Sequence, residues 1–271
     1  AKLEGMILAS TPIWTLLASV LAVLGYVLPA LAPQRLGDGQ TRRLLWLACG
    51  AHALSLLGSF TPPVHFGFAP ALSATAWLVL AAYLVESQFY PQLRGRWALG
   101  GLGALTVVLA VLFPGNPLHV QASPWLPLHW ALGLSAYGMF AAAVVHAWLM
   151  TRAERDIRLA HTTPGLPLLT LERLTFRFVT AGFVLLSATL LAGLLFGEHL
   201  YGSGNGAWRW DHKRVFALLS WLTFALLLWG RQRWGWRGKR AVRVLYTGAA
   251  LLLLSYVGSR FVLELMLGRT A

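Results

Sequence analysis

Residues 174–196 read LTFRFVTAGFVLLSATLLAGLLF, 23 residues with Arg177 as the only charge. A helix needs about 20 apolar residues to cross the hydrocarbon of a bilayer, so this run is long enough to span a membrane by itself. Working outward, comparable apolar runs occupy roughly 7–32, 43–60, 68–87, 97–113, 126–150, 215–230 and 241–267. Prolines, glycines and charges bound them, as at Pro33-Gln34-Arg35, Pro62-Pro63, Pro114-Gly115-Asn116-Pro117, Pro164-Gly165 and the Arg231–Arg240 stretch. No ten-residue alternation of the kind a membrane barrel needs is present. In lipid every backbone polar group needs an internal partner, which leaves helices. The expected fold is therefore all-α: a polytopic membrane helical bundle of about eight transmembrane helices.

Composition agrees. Of 271 residues, 57% are hydrophobic and 11% charged, against about 25% charged in an average soluble domain. Eight spans and their loops use up the chain, so residues 1–271 read as one integral membrane domain. Ala1 to Gly5 reads as a cloning remnant ahead of a start at Met6. The first apolar run is too long for a signal peptide and reads as a retained helix. Cys49 is the single cysteine, which excludes an internal disulfide and a Cys-x-x-Cys-His attachment motif for covalent haem.

The net charge of +13 would suggest nucleic acid if it were not sorted by membrane side. The connections after spans one, three, five and seven carry 16 of the 22 basic residues, among them Arg42, Arg43, Arg152, Arg155, Arg158, Arg173, Arg177, Arg231, Arg237 and Arg240. Basic loops stay in the cytoplasm. Both termini and the 197–214 loop are thus expected on the periplasmic side of a bacterial inner membrane, with no nucleic-acid partner. Trp125 and Trp130 outside, and Trp148, Trp229, Trp234 and Trp236 inside, fit interfacial belts. The segment Leu166–Arg177 alternates leucines with polar residues; it reads either as a stretch lying on the cytoplasmic face or as an extension of the helix that follows.

An ionisable group inside a bilayer is costly and usually functional. His52 is near the middle of span two, His129 about one turn into span five, and His212 at the start of span seven. His146 and His199 are weaker candidates. Neutral imidazoles on two helices can clamp a haem iron; zinc or copper usually recruits Cys, Met or carboxylate partners as well. A plain alternative is a histidine hydrogen-bonded to a neighbouring helix. The loop 201–214 (YGSGNGAWRWDHKR) has glycines that permit an irregular backbone, then Trp208 and Trp210 two residues apart, which share a face if extended. They would form an apolar shelf for a planar macrocycle. Arg209 and Lys213 beside it suit carboxylates such as propionates, and Asp211 reads as a helix cap or a histidine-orienting partner. Arg260 and Glu264, spaced i, i+4 in span eight, read either as an intrahelical ion pair or as a propionate-binding arginine and its holder.

The run Trp208-Arg-Trp210-Asp211-His-Lys213-Arg-Val-Phe-Ala-Leu-Leu-Ser-Trp221 resembles the tryptophan-rich WWD signature of the cytochrome c assembly membrane proteins, the CcsA, CcmC and HemX group. Gly235-Trp236-Arg237-Gly238-Lys239, Tyr256-Val257-Gly258 and Leu171-Glu172-Arg173-Leu174-Thr175-Phe176-Arg177 fit the same pattern. The ending Gly258-Ser259-Arg260-Phe261-Val262-Leu263-Glu264, with His52-Ala53, is most similar to the small inner-membrane YpjD branch. The resemblance implies a periplasmic loop that presents haem, flanked by a histidine pair, with a second pair inside the membrane. His129 falls on the first flanking position and His52 near the first intramembrane one. Leu267 and Trp229 stand where the other two histidines would be, and the loop gains His212.

The expected function is haem handling or delivery for cytochrome c assembly, without synthase turnover of its own. One non-covalent b-type haem would sit near the periplasmic face. His129 and His212 are the expected iron ligands, with His52 as substitute; Trp208 and Trp210 would cradle the ring, and Arg260, Arg209 or Lys213 would neutralise propionates. Partners would be lipid, haem and cytochrome-maturation or haem-synthesis proteins. Two alternatives are a haem-free regulator of tetrapyrrole synthesis acting through the basic cytoplasmic loops, and a small-solute or metal transporter. The transporter reading lacks the internally repeated, broken spans that transporters often show.

Overall fold

The computed structural model describes residues 12–31, 36–58, 65–90, 96–117, 126–159, 166–196, 212–258 and 261. Eight α-helices are found among them: α1 (Ile13–Leu31), α2 (Asp38–Gly58), α3 (Phe68–Phe89), α4 (Arg96–Leu112), α5 (Leu126–Arg158), α6 (Leu168–Leu195), α7 (His212–Trp234) and α8 (Gly238–Leu253). A single π-helical turn, Leu254–Gly258, prolongs α8. Two-residue strands β1 (His65–Phe66) and β2 (Asn116–Pro117) pair antiparallel, His65 opposite Pro117. Five helices, α3, α5, α6, α7 and α8 with its π turn, are long and apolar enough to cross a membrane; α1 and α4 are apolar but shorter. The chain is a polytopic helical membrane protein.

Two helix ends differ from the apolar runs. The segment 166–177 is no separate surface stretch, because α6 runs unbroken from Leu168. Leu171, Leu174 and Thr175 are buried, so its first turns already carry a packed face. Likewise α5 continues past the apolar run to Arg158.

The chain divides into two compact units. In the first, which holds α1–α4, α1 packs on α2 and α4, and α3 packs on α2 and α4. Ala18, Ala22 and Tyr26 make the buried stripe of α1 at four-residue spacing. The helices approach through small residues: a Cβ on Gly25 would come 2.8 Å from Ala48 Cβ, and one on Gly103 would come 2.5 Å from Leu80 and 3.0 Å from the Tyr26 ring. Ser19 and Ser55 hydroxyls bond at 2.7 Å across α1 and α2. Such contacts drive association where no hydrophobic difference from lipid exists.

In the second unit, α5 packs on α6 and α8, and α7 packs on α6 and α8. Across this ring Phe140 of α5 stacks face to face on Phe224 of α7, centroids 3.7 Å apart. Gly182 of α6 and Gly248 of α8 close the other two sides; a Cβ would come 3.1 Å from Phe140 at the first and 2.8 Å from Phe224 at the second. The α7–α8 hairpin turns on Gly235 (φ 63°) and Gly238 (φ 55°), left-handed conformations that favour glycine. Between them Trp236 folds back over Gly230, where a Cβ would meet the indole at 2.5 Å. Trp236 is 9% exposed, so it is part of the turn's packing and not of a lipid-facing belt. Trp229 is exposed and lies against Trp234, centroids 5.1 Å apart.

Candidate functional site

The expected site residues fall into three groups. His52 lies in the first unit. His129, His212 and Lys213 lie in the second. Trp208, Arg209, Trp210, Asp211, Arg260 and Glu264 lie outside the described residues, as does His199.

His52 is fully buried in α2. One ring nitrogen, Nε2, is 2.8 Å from Ser73 Oγ on α3, and the other, Nδ1, is 3.3 Å from the Tyr26 hydroxyl on α1. The Tyr26 ring meets the imidazole edge-on, centroids 5.9 Å apart. The residue therefore ties three helices together, and a metal could reach it only if one of these hydrogen bonds were given up.

His129 is half-buried on α5, and Gly193 of α6 lies across from it: a Cβ there would come 3.6 Å from His129 Cε1. Gly133 faces Thr189 and Gly182 faces Phe140 in the same way, so α5 and α6 run antiparallel with these residues in register. On α7, Trp221 donates Nε1–H to Ser187 Oγ at 2.8 Å, and Arg231 pairs with Glu172 at 2.7 Å, so α6 and α7 are antiparallel too. Hence α5 and α7 point the same way. His129 precedes Phe140 by 11 residues and His212 precedes Phe224 by 12. At about 1.5 Å per residue both lie ~16–18 Å from the stacked phenylalanines, toward the same end of the unit. Counting through α6 instead, from Ser187–Trp221 and Glu172–Arg231, agrees to within about one turn. His212 is exposed and opens α7, next to half-buried Lys213.

Two imidazoles, one half-buried and one exposed, level at the ends of parallel helices, are a donor set that suits haem iron. No group of three metal-ligating side chains occurs among the described residues.

Three polar nodes join residues whose contact cannot be read from the sequence. The first is Tyr26 and Ser73 around His52. In the second, Tyr137 of α5 donates to the Leu252 carbonyl at 2.6 Å and lies 2.7 Å from Ser255 Oγ, where α8 widens into its π turn. This occupies a carbonyl at the point where the regular ladder is interrupted, as lipid requires. The third is at the arginine-rich end, where Glu172 accepts from Arg231 at 2.7 Å and forms an ion pair with Arg237 at 3.4 Å. In the sequence Glu172 stands in the family-like run Leu171–Arg177 and Arg231 in a basic loop, but their pairing joins residues far apart in the chain.

The fold, with histidines near the starts of α5 and α7, defines a polytopic helical membrane protein. The family described as "Cytochrome C assembly protein" matches residues 41–267, and the chain belongs to that family. It is 31% identical over 166 residues to the inner membrane protein YpjD of Escherichia coli K12, covering 60% of this chain and 61% of that one. It is 27% identical over 256 residues to the cytochrome c biogenesis protein CcsA of a Synechococcus strain, covering 80% and 72%. To CcsA of Prochlorococcus marinus subsp. pastoris it is 26% identical over 180 residues, covering 65% and 54%. The match thus takes in about three-fifths of the length of the YpjD relative. No solved structure matches the chain. With its apolar helices and its kinship to an inner membrane protein, this is a multi-pass protein of the inner membrane.

Proposed function

We propose that this protein binds one non-covalent b-type haem at the end of its second unit, where α5 and α7 begin, and hands it on during cytochrome c assembly. The observation that carries the reading is the common level of His129 and His212, fixed by the Phe140–Phe224 stack. His129 and His212 would ligate the iron. Trp208 and Trp210 would lie against the macrocycle, and Arg209, Lys213 and Arg260 would face its propionates, with Asp211 and Glu264 orienting their neighbours. The bound haem supplies the group that is passed to an apocytochrome; the chain's own residues hold, orient and release it. Thioether formation is assigned to a partner, because two of the four family histidine positions hold Leu267 and Trp229 here. His52 is assigned a structural role, since both its nitrogens are engaged.

A dithionite-reduced minus oxidised spectrum of the detergent-purified protein, with a pyridine haemochrome assay, tests this. A sharp b-type α-band near one haem per chain is expected, falling several-fold in His129→Ala and in His212→Ala. Absence of haem after reconstitution would refute the reading and favour a regulator working through the basic loops. Unchanged haem in either variant would remove that residue from the ligand pair.

A further inference from the structure

On α6, Arg173, Phe176 and Arg177 are followed at helical spacing by Thr180, Ala181, Val184 and Leu185, and these line an open groove of about 750 Å³. Arg231 of α7 completes the lining. Arg231 is held in place: it pairs with Glu172, and its guanidinium lies 3.5 Å from the Phe176 ring centroid. Among the described residues, Arg173 and Arg177 have neither an ion-pair nor a hydrogen-bond partner. Glu172, the acidic neighbour, is already shared between Arg231 and Arg237. The upper groove is therefore an uncompensated cationic pocket.

Its chemistry changes with depth. Below Arg177 the helix has no further charge through Phe196, and the stripe that continues the groove, Val184, Leu191 and Leu195, is well exposed at 61%, 55% and 67%. A cationic head over an apolar trough, at the level where a helix enters hydrocarbon, matches one kind of molecule: an amphiphile with a negative head and an acyl tail. A soluble anion would leave the trough unfilled, and a neutral lipid would leave the arginines without a counter-charge.

We propose that this groove is a binding site for an anionic diacyl phospholipid, its phosphate held by Arg173, Arg177 and Arg231 and one acyl chain lying along Ala181, Val184 and Leu185. The lipid would bridge α6 and α7 at the arginine-rich end and supply the negative charge that Glu172 alone does not. Basic pockets between membrane helices commonly take such headgroups. The proposal is independent of haem.

The test is native mass spectrometry of the full chain in detergent, titrated with dioleoyl-phosphatidylglycerol or dioleoyl-phosphatidylcholine. The wild type should bind the glycerol lipid about tenfold or more tightly than the choline lipid. R173Q/R177Q should bring the two to near equality. R155Q/R158Q, which removes the same charge from the exposed end of α5 outside the groove, should keep the preference. V184W fills the trough and leaves the arginines intact; it should lower tight binding of phosphatidylglycerol even if the double arginine variant cannot be purified. Equal binding of both lipids by the wild type would overturn the site. So would an equal loss in R155Q/R158Q, an undiminished preference in R173Q/R177Q, or undiminished phosphatidylglycerol binding in V184W.

Discussion

At the scale of single residues, His52 and Glu172 show how a buried polar group is kept in lipid. Removing the imidazole in His52→Ala leaves the Tyr26 and Ser73 hydroxyls without their partner and opens a cavity at a fully buried position. Hydrogen bonds between membrane helices average about 0.6 kcal/mol each, and the cavity costs more than either bond, so a loss of roughly 2–3 kcal/mol is expected. Thermal unfolding in detergent should show this as a fall of several degrees. Haem per folded chain should stay at the wild-type value, and a proportional loss of haem would restore His52 as a ligand. Glu172 makes a graded case. Its partner Arg231 has 28% of its side chain exposed and Arg237 has 67%. Screening makes the second contact weak, whereas loss of the first strands a half-buried guanidinium. Glu172→Gln should cost about 1–2 kcal/mol and Arg237→Gln under ~0.5 kcal/mol, measured as shifts in the same melting experiment; equal effects would mean that burial does not set the strength here.

At the scale of elements, the second unit is registered by four residues, one from each helix. The Phe140–Phe224 stack is clamped by Gly182 and Gly248. A ring stacked at 3.7 Å has nowhere to retreat, so a methyl group at Gly248, 2.8 Å from Phe224, forces α7 and α8 apart. Overpacking of this kind costs about 1–3 kcal/mol. Gly248→Ala should therefore destabilise more than Gly182→Ala, where the approach is 3.1 Å, and adding Phe224→Leu should recover part of the loss. If the two glycine variants melt alike and the second substitution rescues neither, the stack does not set the register. The helices can be counted from the sequence, because Pro, Gly and charge interrupt each apolar run. Their extents are less legible. The charges after Met150 do not end α5, which continues to Arg158, and Glu172 and Arg173 do not delay α6, because Leu171 and Leu174 already pack. Apolarity reports what lies in lipid, and a helix stabilised by a neighbour can outrun it.

At the scale of the whole molecule, the candidate site is legible in the sequence only where one helix carries the signal. His129 and His212 stand out as imidazoles at the ends of apolar runs, but their common level depends on Phe140, Phe224 and the α6 register, which link residues some 80 apart in the chain. Tyr26, Ser73 and Tyr137 give no such signal, because a hydroxyl in an apolar run looks the same whether or not a partner lies opposite. The functional reading further requires that the His212 end face outward, which rests on the sorting of basic residues. Cys49 is buried, 4% exposed, so it gives little background for labelling of single introduced cysteines. Arg155→Cys and Arg237→Cys, at the arginine-rich end, should react with a membrane-impermeant maleimide only after the inner membrane is opened. Arg214→Cys, in the first turn of α7, should react in intact spheroplasts. Sixteen basic residues against six make the opposite orientation unfavourable. If the pattern were nonetheless reversed, the two histidines would open on the cytoplasm. Delivery of haem to an outward-facing apocytochrome would then be untenable, while the lipid groove on α6 would remain, facing the other leaflet.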